Sequence, residues 1–388
     1  MHQSVAVLWG NCQLDFEIEA ADVGAMFRKF VDVPYLVQAD NKQWAPLLRI
    51  QQLELLDRKK HPFFKHAEIR LFVALSGGRA VGRIAAINDA VHNGVHGETT
   101  THFGFFECID SPAIASALFA KVEQAAREWG HNIVRGPFNP SVNEEIGLQI
   151  DAFDTPNFIM IPGNPAYYAP LVEQAGYAKC MDLFCYRMQN GQMSEKLLAA
   201  SPTIEKRLNI RIRKIDKKNV ERDTMKIWKV YNAAWEKNWY WVPASREEFE
   251  ILVKNLKQIA DLDLIFLAEK ADGELVGFTV AVPNFNEVMI KVRNGRLFPF
   301  SLLKILWLSR PGAIKSIRVM IMGVLEAYRG RGIDAVMYAH QYQEAQRKGY
   351  QSAEMSQILE TNTMMNRAAV QMGGKRYKTH RMYEKSLA

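Results

Sequence analysis

One short basic loop carries residues whose types and spacing suit a phosphate ligand. The loop Arg329-Gly330-Arg331-Gly332 follows an apolar run and precedes a segment of helical periodicity that starts at Ile333. Glycines let consecutive backbone N–H groups turn toward one ligand, and a helix N-terminus adds a partial positive charge. Arginines add charge-assisted hydrogen bonds. The loop therefore predicts a pyrophosphate site between a strand and a helix. An ordinary basic turn is the alternative.

The strand, loop and helix resemble the GNAT superfamily of CoA-dependent N-acyltransferases. The family pattern is Arg or Gln, two residues, Gly, one residue, then Gly or Ala, between a strand and a helix. Arg329 and Gly332 match its first and fourth positions, whereas Asp334 stands at the sixth. The resemblance covers nearly the whole chain as two tandem GNAT-like units. It implies that acetyl-CoA or a longer acyl-CoA is the donor, bound by the second unit.

The resemblance also implies roles for residues beside this loop. On the preceding strand, the backbone N–H of Met322, Gly323 or Val324 would stabilise the oxyanion of the reaction. A purely structural glycine is the alternative for Gly323. Residues Arg329–Ile333 would bind the CoA pyrophosphate, and Asn362 matches the Asn that starts the last helix of the family.

Acyl transfer from a thioester to an amine needs a neutral amine, so a base has to accept its proton. Glu354 and Glu360 flank a predicted strand beside the donor loop and are candidate bases, with solvated surface glutamates as the alternative. The tyrosine acid that the family often carries would fall at Ala369. Tyr383 is the substitute candidate, with a core tyrosine as the alternative. A thiolate can also leave unassisted, because a thiol pKa is about 8–9.

A polar cluster in the first half suits a cationic or hydroxylated acceptor. Asn139, Asn143 and Glu144 follow a predicted strand at 132–135, and Tyr168 lies after a second Asn-Pro turn. These side chains are the candidate substrate-binding residues, and a capped loop is the alternative.

The elements that must position these residues occur in two copies. Each copy reads as hairpin, strand, helix, strand, helix, strand, with glycine turns and alternating apolar runs. The pattern predicts an α+β fold of two tandem domains, each a mixed, mostly antiparallel sheet flanked by helices. We place the domains at 1–195 and 196–388, joined by a polar linker at 190–209.

The first copy lacks the basic loop. Its equivalent junction is Glu107-Cys108-Ile109-Asp110-Ser111-Pro112, which contains two acids and no glycine. Because that junction should repel phosphate, we expect one donor site per chain and a scaffolding or acceptor-binding first domain.

Composition and charge limit the classes of ligand and partner that we expect. The chain has 388 residues, 48% hydrophobic and 23% charged, with a net charge of +7. Residues 1–199 hold 17 Lys and Arg against 22 Asp and Glu, whereas residues 200–388 hold 32 against 20. A basic second half suits a polyanionic ligand, with solvated faces as the alternative. Basic runs interleaved with aromatics and zinc-finger spacings are missing from the sequence, so we expect no nucleic acid partner.

The cysteines and histidines predict no metal. Cys12, Cys108, Cys180 and Cys185 show no ligand spacing, and His92 and His96 flank Gly94 in an expected turn. Neither a signal peptide nor a membrane-spanning run is evident in the sequence, which predicts a cytoplasmic monomer or homodimer with free thiols.

An apolar insertion at 284–316 separates the shared elements of the second copy. Its run Leu297–Leu308 lies between basic residues, which favours an acyl-chain cover or a peripheral contact at the inner membrane face. A core helix over the sheet is the alternative. The acceptor would then be a small-molecule or lipid-like amine. The chain has a resemblance to ceramide-synthase-type acyltransferases of bacteria, whereas acetylation of a small amine and non-catalytic acyl-CoA or lipid binding remain open.

Overall fold

The structure, a computed structural model, describes residues 15–387 and therefore leaves Cys12 outside the described residues. The elements of the first half are β1 (Glu17–Ala20), α1 (Gly24–Val37), α2 (Arg49–Leu55), β2 (Ala67–Ser76), β3 (Arg79–Asp89), α3 (Ala90–His96), β4 (Thr100–Cys108), α4 (Pro112–Glu128), β5 (Ile133–Gly136), β6 (Phe138–Asn139), β7 (Glu145–Ile146), β8 (Leu148–Gln149), α5 (Tyr168–Gln174) and β9 (Ala178–Gln189).

The second half repeats this order with additions. Its elements are α6 (Glu195–Leu208), β10 (Ile210–Lys214), α7 (Val220–Trp235), α8 (Arg246–Lys257), β11 (Ile265–Lys270), β12 (Leu275–Pro283), α9 (Asn286–Met289), α10 (Ser301–Leu308), β13 (Ser316–Val324), α11 (Ile333–Arg347), β14 (Ser352–Leu359), α12 (Thr363–Gln371) and β15 (Lys375–Ser386). Each half therefore contains the predicted hairpin, third strand and helices.

One continuous sheet runs through both halves. Among the described residues its order is β1-β2-β3-β4-β5-β15-β9-β14-β13-β12-β11-β10, with β8 also paired to β15. The pairs β4–β5 and β13–β14 are parallel and the others are antiparallel. The structure thus confirms the predicted α+β fold with a mixed, mostly antiparallel sheet flanked by helices.

The final strand of each half pairs with the other half. Strand β15 lies between β5 and β9, so that Tyr383 opposes Gly136. Strand β9 in turn pairs with β14, so that Ser352 opposes Gln189. Backbone hydrogen bonds therefore cross the predicted boundary between 195 and 196 in both directions, and that boundary stays a prediction.

Two local predictions are wrong. The expected linker at 190–209 is mostly helix α6, because Ile204 and Leu208 on it pack against the core that Ile333 and Val336 of α11 form. The expected turn around Gly94 is helix α3, because the Asp89 side chain caps its first backbone N–H groups.

In each half a helix follows the third strand, but the two helices have different N-terminal caps. Helix α4 begins at Pro112 after Ser111, whose hydroxyl oxygen accepts a hydrogen bond from the backbone N–H of Ile114. Helix α11 begins after Gly332, which adopts a left-handed conformation with φ +90°. Within 15–387, no helix is both long enough and apolar enough to cross a bilayer.

Candidate active site

Strands β13 and β14 separate in the middle of the sheet. Their parallel pairing joins residues 316–319 to 352–355 and ends at Val319 and Met355. On the other edge of β13, the register with β12 shifts at Met320, which forms a β-bulge. Past this point β13 pairs with β12 on one edge only, and its other edge opens into a cleft.

The Gly-rich loop lies at the end of β13. Gly330 and Gly332 have φ +68° and +90°, values that side chains with a Cβ rarely adopt. A Cβ built on Gly332 would meet Ile204 at an ordinary 3.5 Å, so the backbone conformation, and not space, requires glycine there. The turn brings the chain directly into the N-terminus of α11.

The two arginines of the loop make different contacts. Arg329 donates from Nε to the carbonyl oxygen of Val324 at 3.0 Å, and from its second amino group to the carbonyl oxygen of Ala234 on α7. The guanidinium of Arg331 is exposed and lies 5.6 Å from the ring centroid of Tyr328. Arg329 thus fixes the loop to its neighbours, whereas Arg331 is free to meet an anion.

The cleft between β13 and β14 has a cavity volume of about 130 Å3. Both halves of the chain line it. From the first half come Val142, Asn143, Glu144, Ile146, Met160 and Leu183; from the second come Tyr231, Trp235, Asn238, Trp239, Trp241, Leu252, Arg318, Met320, Ile321, Gln357 and Leu359. The wall is therefore rich in aromatic and aliphatic side chains, with a few polar groups among them.

Two further spaces meet this cleft at Tyr231, Leu252 and Ile321. An apolar space with a cavity volume of about 60 Å3 lies between α7, α8 and the sheet. A second space of about 40 Å3 extends toward His61 and Glu248, and its wall contains acidic groups among apolar side chains. The arrangement joins an acid-lined chamber and an apolar chamber at the point where β13 separates from β14.

Glu144 and Glu145 place two adjacent carboxyl groups on the first-half side. Burial, together with the nearby charges of Glu145 and Glu248, raises the pKa of Glu144 to about 8. Burial also raises the pKa of Glu145 to about 7, against the lowering effect of Arg318. A carboxyl group with a pKa near neutrality is suited to proton transfer.

Arg318 is a buried cation at the inner end of the cleft. Its guanidinium donates to the Ser356 hydroxyl at 3.0 Å and to the carbonyl oxygens of Ile159 and Met160 at 2.8 and 3.0 Å. It therefore ties β13, β14 and a first-half loop together where the strands part.

Comparison with known proteins identifies the family. No family model matches the chain. The bacterial ceramide synthase of Caulobacter vibrioides is 35% identical over 381 residues, covering 96% of this chain and 98% of that protein. Protein YghO of Escherichia coli is 34% identical over 369 residues, covering 93% of each. The chain belongs to the bacterial ceramide synthase family.

Solved structures share the fold of this ceramide synthase family member. A tandem GNAT protein from the clavulanic acid biosynthesis pathway has a TM-score of 0.57 at 12% identity, covering 96% of this chain and 98% of its own. A GCN5-related N-acetyltransferase from Sphaerobacter thermophilus has a TM-score of 0.52 at 14% identity, covering 96% and 95%. The tandem GNAT resemblance is confirmed, and the fold together with the relatives supports an N-acyltransferase.

Of the substrate-binding residues predicted for this ceramide synthase family member, Asn143 and Glu144 line the cleft. Asn139 instead accepts a hydrogen bond from the backbone N–H of Phe105 at 2.6 Å. Tyr168 is fully buried and donates to Glu107 at 2.7 Å. Asn139 and Tyr168 thus have contacts typical of structural residues.

The predicted catalytic residues do not come together. Glu354 is 1% exposed and accepts hydrogen bonds from Ser356, at 2.6 Å, and Tyr377. Glu360 accepts from Lys179 at 2.8 Å, and Tyr383 is buried with its hydroxyl 3.1 Å from Glu173. Of the described residues that line the cleft, none is one of these three. Their catalytic roles stay predictions that these contacts do not favour.

The predicted cofactor-binding residues lie on β13, in the Gly-rich loop, and at the starts of α11 and α12. The carbonyl oxygen of Met322 accepts a hydrogen bond from Trp235 at 2.9 Å. A Cβ on Gly323 would lie 2.8 Å from the Phe278 ring, so packing requires glycine there. The Asn362 side chain caps α12 by accepting from the backbone N–H of Met365 at 3.1 Å. Direct contact of these residues with CoA stays a prediction.

Several residues that line the cleft and the spaces beside it were not predicted from the sequence. Tyr231 and Trp235 come from α7, where Trp228, Tyr231 and Trp235 follow helical spacing. That aromatic stripe is the signal that could have identified them. His61 carries no comparable signal in the sequence. Its Nδ1 is buried with no hydrogen-bond partner within residues 15–387, and burial lowers its pKa.

Proposed function

We propose that this chain is an acyl-CoA-dependent N-acyltransferase that transfers a long acyl chain to the primary amine of a lipid-like acceptor. The observation that carries the proposal is the junction at Ile321, where the cleft between β13 and β14 meets the apolar chamber.

The donor is assigned from the loop and the chamber. CoA pyrophosphate would lie against the loop backbone, the N-terminus of α11 and the exposed Arg331. The acyl chain would extend between α7 and α8, where the wall is almost wholly apolar. Each methylene buried there contributes about 0.8 kcal/mol, so a long chain gains far more than an acetyl group.

Glu144 is our candidate base. The carboxylate would take a proton from the acceptor ammonium, and the neutral amine nitrogen would attack the thioester carbonyl carbon. A C–N bond forms, the C–S bond breaks, and the CoA thiolate leaves and takes up the second proton that the nitrogen loses as it becomes an amide. A backbone N–H on the free edge of β13 past Val319 would stabilise the oxyanion between these steps.

The cleft wall and the relatives support the acceptor class that we propose. Trp235, Trp239 and Trp241 offer apolar surface with polar edges, and the side chain of Asn143 can bind a hydroxyl group. The name of the Caulobacter relative refers to the synthesis of ceramide, which is the amide of a fatty acid and a long-chain amino alcohol. An amino alcohol with a long apolar tail fits the same wall.

The test measures CoA release and product mass with acetyl-, octanoyl- and palmitoyl-CoA, each with sphinganine or with ethanolamine. We expect palmitoyl-CoA with sphinganine to give the highest kcat/KM. Equal or faster acetylation of ethanolamine would replace this proposal with small-molecule acetylation. No CoA release from any pair would leave non-catalytic binding as the function.

A further inference from the structure

No element within residues 15–387 covers an apolar surface that lies outside the cleft. Helix α10 contacts the second half through Ile305, which is buried beside Val288, Met289 and Val292. Its other side is open to solvent. Phe300 is 79% exposed, Leu303 67% and Trp307 63%, and Phe298 and Leu306 are exposed as well. The core-helix alternative is therefore wrong for this side of the insertion.

The base of the insertion is firmly held. Arg293 donates to the carbonyl oxygens of Ala39 and Asn41, each at 2.8 Å, and the backbone N–H of Arg49 donates to Gly295 at 2.8 Å. A Cβ on Gly295 would collide with the Tyr35 ring. The exposed apolar side chains thus project from a fixed support that both halves of the chain build.

More apolar side chains surround this support. Leu47, Ile50 and Leu53, on or just before α2, are also exposed, and Arg49 at the start of the same helix carries the hydrogen bond to Gly295. The apolar surface therefore extends from α10 toward α2. Single exposed apolar residues are ordinary, but a contiguous group on two elements marks an interaction surface.

The charges around the surface select its partner. Residues 284–316 contain six Lys or Arg and one acid, Glu287, and α2 adds one cation, Arg49, and one exposed acid, Glu54. The carboxylate of Glu287 is occupied by the backbone N–H groups of Lys315 and Ser316, at 2.9 Å each. Contact with a second copy would oppose like charges, which is costly. An anionic partner with an apolar interior is favoured.

We propose that α10 and its flanks dock on an anionic lipid bilayer, with Phe300, Leu303 and Trp307 inserted at the interface. Exposed Arg296, Lys304, Arg310 and Lys315 would lie at the level of the headgroups. A tryptophan ring with an apolar body and a polar edge suits that depth. This surface is separate from the donor loop, and the proposal does not depend on which acyl-CoA the cleft takes.

The location agrees with delivery of a lipid-like acceptor. The Asn284 side chain, at the start of the insertion, accepts a hydrogen bond from the backbone N–H of Ile159 at 3.1 Å. The next residue, Met160, lines the cleft. The base of the docking surface is thus in contact with the wall of the site.

The test is flotation of the full chain with vesicles of phosphatidylcholine alone or of phosphatidylcholine with phosphatidylglycerol. We expect binding to the anionic vesicles only, weakening as salt is added. The triple variant Phe300→Ser, Leu303→Ser, Trp307→Ser should bind at least about tenfold less, and Arg296→Glu with Arg310→Glu should remove the preference for phosphatidylglycerol. The matched control Val23→Ser with Val95→Ser, two exposed apolar residues elsewhere, should bind like the wild type.

Thermal melts of each variant exclude unfolding as the cause. Absence of wild-type binding, or unchanged binding of the triple variant, would overturn the proposal. A dimer in light scattering that the triple variant dissociates, without vesicle binding, would assign the surface to a second copy and would also overturn it. CoA release is measured in parallel in vesicle-free buffer. If the proposed function is wrong, the wild type and all variants will release no CoA, whether or not they bind vesicles, so the two failures can be distinguished.

Discussion

The hydroxyl of Tyr231 donates a hydrogen bond of 2.8 Å to Oδ1 of Asn143, across 88 residues of sequence. Tyr231 belongs to α7 of the second half, and Asn143 lies in the polar loop of the first. Tyr231 also lines all three spaces that meet at the site. The contact therefore holds the acid-bearing loop against the helix that borders the apolar chamber.

The first prediction concerns this contact. Tyr231→Phe removes the hydroxyl, and the bond it makes is worth about 1 kcal/mol. We expect Tyr231→Phe and Asn143→Ala each to lower kcat, and the double variant to lose no more than the worse single variant, because both act through one interaction. A double-mutant cycle on kcat measures the coupling. Fully additive losses would contradict a shared role.

The second prediction concerns Glu144. Because its carboxylate form is the base and its pKa in the ligand-free chain is raised to about 8, kcat/KM should rise with pH up to about that value. Glu144→Gln should lower kcat by roughly 10²- to 10⁴-fold and flatten the pH profile. Loss of activity in Glu354→Gln or Glu360→Gln, with Glu144→Gln still active, would instead favour the bases predicted from the sequence.

The same carboxyl group predicts a pH dependence of stability. Its pKa is raised in the folded chain from an ordinary 4.5, so the folded state retains a proton that the unfolded state has lost. Its stabilising contribution is complete below about pH 4.5 and is lost as the pH rises through about 8. In urea unfolding across this window, Glu144→Gln should lose less stability with rising pH than the wild type does.

The fourth prediction separates the two loop arginines. Arg331→Ala should weaken acyl-CoA binding by about 1.5–3 kcal/mol with little change in the melting temperature, because within residues 15–387 its guanidinium donates no hydrogen bond and only lies near the Tyr328 ring. Arg329→Ala should weaken acyl-CoA binding and also lower the melting temperature, because the carbonyl oxygens of Val324 and Ala234 lose their hydrogen-bond donor. Calorimetric titration and thermal melts distinguish the two effects. A wild-type stoichiometry of two CoA per chain would contradict a single donor site.

The fifth prediction concerns the apolar chamber. Val253 on α8 lines it, and Val253→Trp would fill part of its space. We expect kcat/KM for palmitoyl-CoA to fall while that for octanoyl-CoA is kept. Val95→Trp on the exposed side of α3 is the size-matched control. Equal losses for both donors would indicate that the chain lies elsewhere.

The sequence determined much of the local structure. Two runs of apolar alternation, glycine turns and helix caps predicted the repeated elements, because period and capping depend on near neighbours. The loop from Arg329 to Gly332 was also predicted, because its arginines and glycines are neighbours in the sequence. The polar run around Asn143 and Glu144 indicated an acceptor site, although Asn139 and Tyr168 in the same cluster bind the scaffold.

Only the tertiary structure decided which residues meet. Pairing of β15 with β5 and of β9 with β14, and the approach of Tyr231 to Asn143, join segments far apart in sequence, and no local pattern specifies such pairs. Glu354 and Tyr383 have the right chemistry but are buried in other contacts. The apolar sequence of α10 is equally compatible with a core position and with an exposed one. The sequence shows that these side chains are apolar, but only the tertiary structure shows whether another element covers them.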